Sequence, residues 1–178
     1  MSAVACLGVS GYAVVATWWD VRERRIPNWL SGSALVAALV VSLLDGGIGL
    51  PAAGIGFLLG GFAFIVPFAI GAVGAGDVKF AAVAGAWLGP HICFHALLLG
   101  TVLGLFVGLA SAAVAGRAGD AITGAARLVY LFASSLSLAH LPPPDTHAAR
   151  VAPIPYAAPL AAGVLGSVLL AHEGWLLF

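Results

Sequence analysis

The fold class of this chain is decided by residues 80–116, FAAVAGAWLGPHICFHALLLGTVLGLFVGLASAAVAG, a run of 37 residues without Lys, Arg, Asp or Glu. A helix needs roughly 20 mainly apolar residues to cross a bilayer. The run is therefore too long for one crossing and long enough for two short ones. Gly89 and Pro90, followed by His91, favour a break between two helices. We predict two membrane spans here.

The basic residues support this division. With two spans, all seven Lys and Arg lie on one side of the membrane, which the positive-inside tendency identifies as the cytoplasm. A single span would place Arg117, Arg127 and Arg150 on the opposite side from Lys79 and from the cluster at residues 22–25. We therefore expect a multi-pass membrane protein whose N-terminus lies outside.

The composition agrees with a membrane protein. Apolar residues make up 62% of the chain and charged residues 8%, and the mean hydropathy is +1.10. A soluble domain of this composition would have almost nothing polar to expose to water, so the lipid bilayer is the expected surrounding. Seven basic residues balance seven acidic ones, which argues against a nucleic-acid partner.

Charges and turn residues divide the rest of the chain into further spans. We predict them at residues 2–19, 29–44, 50–73 and 151–170, which makes six with the two above. Residues 121–141 contain Arg127 and several serines, so we expect an interfacial helix between spans five and six. The role of the 117–150 segment stays open. The prediction is an all-α polytopic membrane protein with about six transmembrane helices, forming one domain over residues 1–178.

Two aspartates are the candidate catalytic residues. Asp20 follows 18 uncharged residues, which rise about 27 Å as a helix and carry it to the cytoplasmic end of the first span. Asp77 follows a span that began outside and reaches the same face. Two carboxyl groups at matched depth in a partly dry site share one proton, the state that aspartic peptide hydrolysis requires. Which aspartate is ionised first stays open.

Structural explanations exist for each aspartate alone. Asp20 could pair with Arg24 at i,i+4, and Asp77 could cap a helix that starts at Val78. Matched depth on two helices favours the catalytic interpretation. Lys79 lies about 200° around a helix from Asp77, so it is poorly placed to neutralise that carboxylate. We expect its ammonium group to extend toward a lipid phosphate instead.

The other candidate binding and metal-ligating residues indicate no cofactor. Gly74 and Gly76 let a backbone approach closely and are candidate substrate-binding residues. His91 and His95 share a helix face but lack further metal ligands nearby, so we expect interface residues and no metal. Two cysteines, Cys6 and Cys93, are expected to be small buried apolar residues, and whether they pair stays open.

Three short stretches resemble one known family. Asp20 is followed by RIPN at residues 25–28, then GAGDVK at 74–79, and IPY at 154–156 precedes the last span. This order resembles the type IV prepilin peptidases, which are GxGD aspartyl peptidases. The size is similar to the short TadV/CpaA-like branch, which serves Flp pili. The resemblance implies catalytic roles for Asp20 and Asp77.

The family's activity would be removal of the N-terminal leader of prepilins or pseudopilins at the cytoplasmic face of the inner membrane. Longer members carry a cysteine-bearing soluble segment and also methylate the new N-terminus. The sequence shows no such segment, so methyltransferase activity is not expected. Glu23, Asp120 or Asp145 could meet a basic leader. The particular prepilin and the oligomeric state stay open.

Two other classes of function remain. A small transporter or proton-coupled channel would use intramembrane carboxylates to bind a cation, and its site would lie near the midplane rather than at one face. A non-catalytic membrane assembly subunit would tolerate substitution of both aspartates.

Overall fold

The computed structural model describes residues 2–69, 73–114, 116 and 156–174. Every regular element within these ranges is a helix. The helices are α1 (Ala3–Glu23), α2 (Asn28–Leu43), α3 (Leu50–Ala69), α4 (Ala75–Val114) and α5 (Ala157–His172). The predicted all-α class is confirmed. The expected interfacial helix at 121–141 lies outside the described residues, as do Asp120, Asp145 and residues 154–155.

The chain divides into two compact units. The first contains Met1–Leu103 and Pro155–Phe178, and the second contains Gly104–Ile154. Both candidate aspartates lie in the first unit, with α1, α2, α3, α5 and most of α4. The single domain over 1–178 stays a prediction.

Helix lengths and surfaces are those of a membrane protein. By length and composition, α1, α3 and α4 can each cross a bilayer, while α2 and α5 are apolar helices of 16 residues each. Large apolar side chains such as Leu7, Phe62 and Leu169 are exposed on the outer surfaces of the helices, where water would not favour them. The number of crossings and their orientation stay predictions.

The predicted break at Gly89 is confirmed. Gly89 has φ 72° and ψ 172°, a backbone conformation that a residue with Cβ rarely adopts. Pro90 follows at once and offers no backbone N–H to continue the preceding turn. The apolar run is therefore two helical segments, 75–88 and 90–114.

Helix boundaries differ from those expected at the charged ends. The first span was predicted to end at Trp19, but α1 continues through Asp20 to Glu23. Arg24 then adopts a left-handed conformation with φ 53°, and its N–H donates to the Asp20 carbonyl at 2.8 Å. Charged residues such as Arg and Glu are good helix formers. They therefore indicate where the helix reaches the membrane surface, and the helix itself can continue beyond that point.

Small residues let α4 approach its neighbours. A Cβ on Gly56 of α3 would collide with the Gly85 backbone of α4, and one on Gly60 would collide with the Ala81 backbone. Further along, a Cβ on Gly163 of α5 would meet the backbone of α4. Close backbone approach of this kind is how membrane helices gain packing without a hydrophobic driving force.

Aromatic packing joins α1 to the first segment of α4. Tyr12 stacks on Phe80 with ring centroids 5.5 Å apart, and both side chains are buried. The Trp87 ring lies against Gly8 of α1. These contacts bring the end of α1 and the beginning of α4 to the same end of the bundle.

Candidate active site

Asp77 lies in the first turn of α4. Its Oδ2 accepts a hydrogen bond from the N–H of Gly74 at 3.0 Å, and the residue is 7% exposed. The helix begins at Ala75, so the alternative in which Asp77 caps a helix that starts at Val78 is wrong. Instead of capping a later helix, the carboxylate reaches back to the residue that precedes α4, as the acidic member of a capping box does. This bond holds one carboxylate oxygen in a defined position.

Asp20 lies in the last turn of α1 and is half-buried. Its carboxyl group is near the backbone N–H of Ala157, at the start of α5. In the part of the chain that the structure describes, the one ion pair joins Arg25 to Glu23 at 3.3 Å. The alternative pairing of Asp20 with Arg24 is therefore wrong, because Arg24 contacts Asp20 only through the backbone.

The two carboxyl groups act on each other across helices. Burial raises the pKa of Asp77 to about 6, the hydrogen bond from Gly74 partly offsets this, and the charge of Asp20 on α1 raises the pKa further. When both are ionised they repel, and the repulsion is relieved if the pair holds one proton. Asp77 is the more enclosed member and Asp20 the more open one.

Tyr156 completes one wall of this site. It precedes α5, and its ring packs against Phe64 of α3 with centroids 6.2 Å apart. Its hydroxyl lies near the side chain of Thr101 and within electrostatic reach of Asp77. The IPY stretch singled out Tyr156 in the sequence, but nothing in the sequence predicted that it lies on the Asp77 side of the bundle.

The RIPN and GAGDVK stretches meet beside the aspartates. The Lys79 Nζ donates to Asn28 Oδ1 at 2.7 Å. On the same side, Ile26 packs against Gly76, where an added Cβ would lie 3.5 Å from Ile26 Cγ1. These contacts join the α1–α2 connection to the turn that carries Asp77. The sequence alone did not predict these contacts, and its only signal for them was that both stretches belong to one family pattern.

Comparison with known families decides the identity. The model of the type IV leader peptidase family matches residues 7–109, which include Asp20, Asp77 and both stretches just described. The chain belongs to the type IV leader peptidase family. The family resemblance is thereby confirmed, and the chain is a peptidase whose family acts on prepilins. Neither a curated protein nor a solved structure matches it.

The two glycines of the leader peptidase's GAGD turn have different surroundings. The N–H of Gly74 holds Asp77, and Gly74 is exposed. Gly76 faces Ile26. A Cβ on either would make only ordinary van der Waals contacts, so packing does not by itself require glycine here. Substrate binding by Gly74 and Gly76 stays a prediction.

The histidines and cysteines of the leader peptidase lie away from the aspartates. The His95 Nδ1 is 2.9 Å from the His91 carbonyl oxygen, one turn earlier. Cys6 and Cys93 are both free thiols, and the Cys93 Sγ is 3.8 Å from the Gly56 carbonyl. Their pairing, left open by the sequence, does not occur. Among residues 2–69, 73–114 and 156–174, no three His, Cys, Asp or Glu side chains are grouped to hold a metal ion.

Proposed function

We propose that this leader peptidase is an aspartyl endopeptidase that removes the N-terminal leader of type IV, Flp-like prepilins at the cytoplasmic face of the inner membrane. The observation that carries the proposal is geometric: Asp20 lies in the last turn of α1 and Asp77 in the first turn of α4. The stacking of Tyr12 on Phe80 places these two turns at the same end of the bundle. Neither carboxyl group is neutralised by a basic side chain in the described residues, so both remain available for proton transfer.

The dyad activates water in this proposal. The ionised carboxylate takes a proton from water as the oxygen attacks the scissile carbonyl, and the protonated carboxyl donates a hydrogen bond to that carbonyl. The roles then reverse: the newly protonated group gives its proton to the leaving nitrogen. The bond from Gly74 keeps Asp77 oriented throughout, which preserves the geometry that the reaction needs.

The position in the membrane follows from charge. All basic residues lie on the side of Asp20 and Asp77 if the apolar run forms two spans, and its break at Gly89 supports two. The N-terminus is then outside and the site faces the cytoplasm. Of the acidic groups that could meet a basic leader, Glu23 lies next to Asp20 but contacts Arg25. Gly74 and Gly76 would lie beside the scissile bond.

Co-expression with an Flp-type prepilin tests the proposal. Leader removal, scored by gel mobility, is expected with the unchanged chain and lost with Asp20→Asn and Asp77→Asn. Asp45→Asn is a matched control, because Asp45 is exposed in the α2–α3 turn. Cleavage retained in either variant of the dyad would refute the aspartic mechanism.

The resemblance to the short TadV/CpaA-like branch supports a further part of the proposal, cleavage without methylation. Incubation of processed pilin with a labelled methyl donor is expected to leave the pilin unlabelled. Label transferred by the purified peptidase would contradict this.

A further inference from the structure

A groove lies on the side of α4 away from Asp77. It has a volume of about 530 Å³ and lies between α2, α3 and the first segment of α4. Successive helical residues are about 100° apart, so Lys79 lies about 200° around the axis from Asp77. Val78, Lys79, Ala82 and Val83 line the groove from α4, whereas Asp77 does not. An occupant of the groove is therefore separated from the dyad by α4 itself.

One end of the groove is cationic. The Lys79 ammonium is exposed and donates to Asn28, and within the described ranges it has no acidic partner. An ammonium group has three donors, so two remain for an anion. A phosphate group fits this end by charge and by hydrogen bonding.

The body of the groove is apolar and open to the side. Leu35 of α2 and Phe57, Phe62 and Ile65 of α3 contribute to its walls. Gly32 leaves part of it free, since a Cβ there would meet nothing within 4 Å. The lining accepts a hydrocarbon chain and offers almost no partner for a polar one.

We propose that this groove binds one anionic phospholipid, with an acyl chain between α2, α3 and α4 and the phosphate at Lys79. The volume lies in the range of roughly 300–1,000 Å³ that small molecules occupy, whereas a substrate helix with its side chains is about 10–12 Å wide. A substrate segment in this groove would also lie on the wrong side of α4 for cleavage. The bilayer is as apolar as the groove, so the headgroup and the fit of the chain determine which lipid binds.

The headgroup contact is tested on the full chain in detergent. The protein is incubated with equal amounts of phosphatidylglycerol and phosphatidylcholine of identical chains, and bound lipids are counted by native mass spectrometry. One lipid is expected, with phosphatidylglycerol preferred about fivefold, the effect typical of one Lys near an anionic lipid surface. Lys79→Met should abolish the preference and Lys79→Arg should retain it. Equal binding of both lipids by the unchanged chain would overturn the proposal.

The chain contact is tested by filling the groove. Gly32→Leu places a side chain into it, and Gly54→Leu is the matched control. Both glycines lie in helices and have open space at Cβ, but only Gly32 lines the groove. Loss of the retained lipid in Gly32→Leu alone is expected. Unchanged lipid binding in Gly32→Leu would overturn the proposal. The same holds if lipid binding is unchanged and the KM for prepilin rises, because the groove would then bind substrate. If Gly32→Leu fails to fold, the two Lys79 variants still decide it.

Discussion

Two charged side chains at the beginning of α4, Asp77 and Lys79, lie two residues apart and have opposite surroundings. Asp77 is buried, is held by the Gly74 N–H and feels the charge of Asp20 on α1. Lys79 is exposed, bonds to Asn28 on α2 and borders an apolar groove. The helical repeat alone separates them. One turn of helix can therefore present a desolvated carboxyl group to the protein interior and a solvated cation to the membrane surface.

The two faces of α4, one with Asp77 and one with Lys79, are expected to have different functions. The face with Asp77 joins three helices around a pair of carboxyl groups and is suited to proton transfer. The face with Lys79 is open to the side and is suited to holding a lipid. Substitutions on each face should therefore affect different measurements.

The largest expected effect is on catalysis by the Asp77 face. Asp77→Asn removes a group that exchanges protons, which lowers the rate of leader cleavage by roughly 10²- to 10⁴-fold. Lys79→Met should lower it far less, because Lys79 points away from the dyad. Initial rates with purified enzyme and prepilin measure both. If the two variants lose activity equally, the division between the faces is wrong.

A smaller effect is expected on stability, at two adjacent glycines of α3. A Cβ on Gly60 would collide with the Ala81 backbone, whereas one on Gly61 would meet only the Ala82 side chain at 3.6 Å. Gly60→Ala should therefore destabilise the fold by about 1–3 kcal/mol, as overpacking does. Gly61→Ala, its matched control in the groove, should be neutral or stabilising by up to about 1 kcal/mol. Unfolding in detergent is the measurement, and equal effects would contradict the close α3–α4 contact.

A third prediction concerns the wall of the active site. Tyr156→Phe removes a hydroxyl near Asp77 and should lower the cleavage rate about two- to tenfold, the equivalent of one neutral hydrogen bond. A tyrosine hydroxyl ordinarily has a pKa of about 10, so the phenol is protonated in the range in which cleavage would be measured. The pH dependence of the rate between about pH 5 and 9 should therefore be the same in both enzymes. A shift of the pH profile in that range would show that the phenol titrates during catalysis.

The smallest expected effect is at the contact between Lys79 and Asn28. Both side chains are at the surface, so their coupling in a double-mutant cycle of Lys79→Met and Asn28→Ala should be below about 1 kcal/mol. Unfolding of the four proteins in detergent gives this number. A coupling free energy several times larger would mean that the contact between Lys79 and Asn28 also stabilises the packing of the α1–α2 connection against α4.

The sequence by itself determined the class of the protein and the identity of the candidate dyad. Charge-free runs predicted the helices, Gly89-Pro90 predicted the break, and the stretches around Asp20 and Asp77 indicated the family. These features follow from the cost of charges in a bilayer and from glycine and proline geometry, which act locally along the chain.

Only the tertiary structure determined which residues from distant parts of the chain contact one another. The bond from Gly74 to Asp77, the contact of Lys79 with Asn28, the position of Tyr156 near Asp77 and the groove beside α4 all join distant parts of the chain. In a water-soluble helix, an apolar stripe predicts the packed face. In a membrane helix, lipid-facing and protein-facing residues are both apolar, so the rotation of each helix depends on how small residues such as Gly56 and Gly85 let the backbones meet.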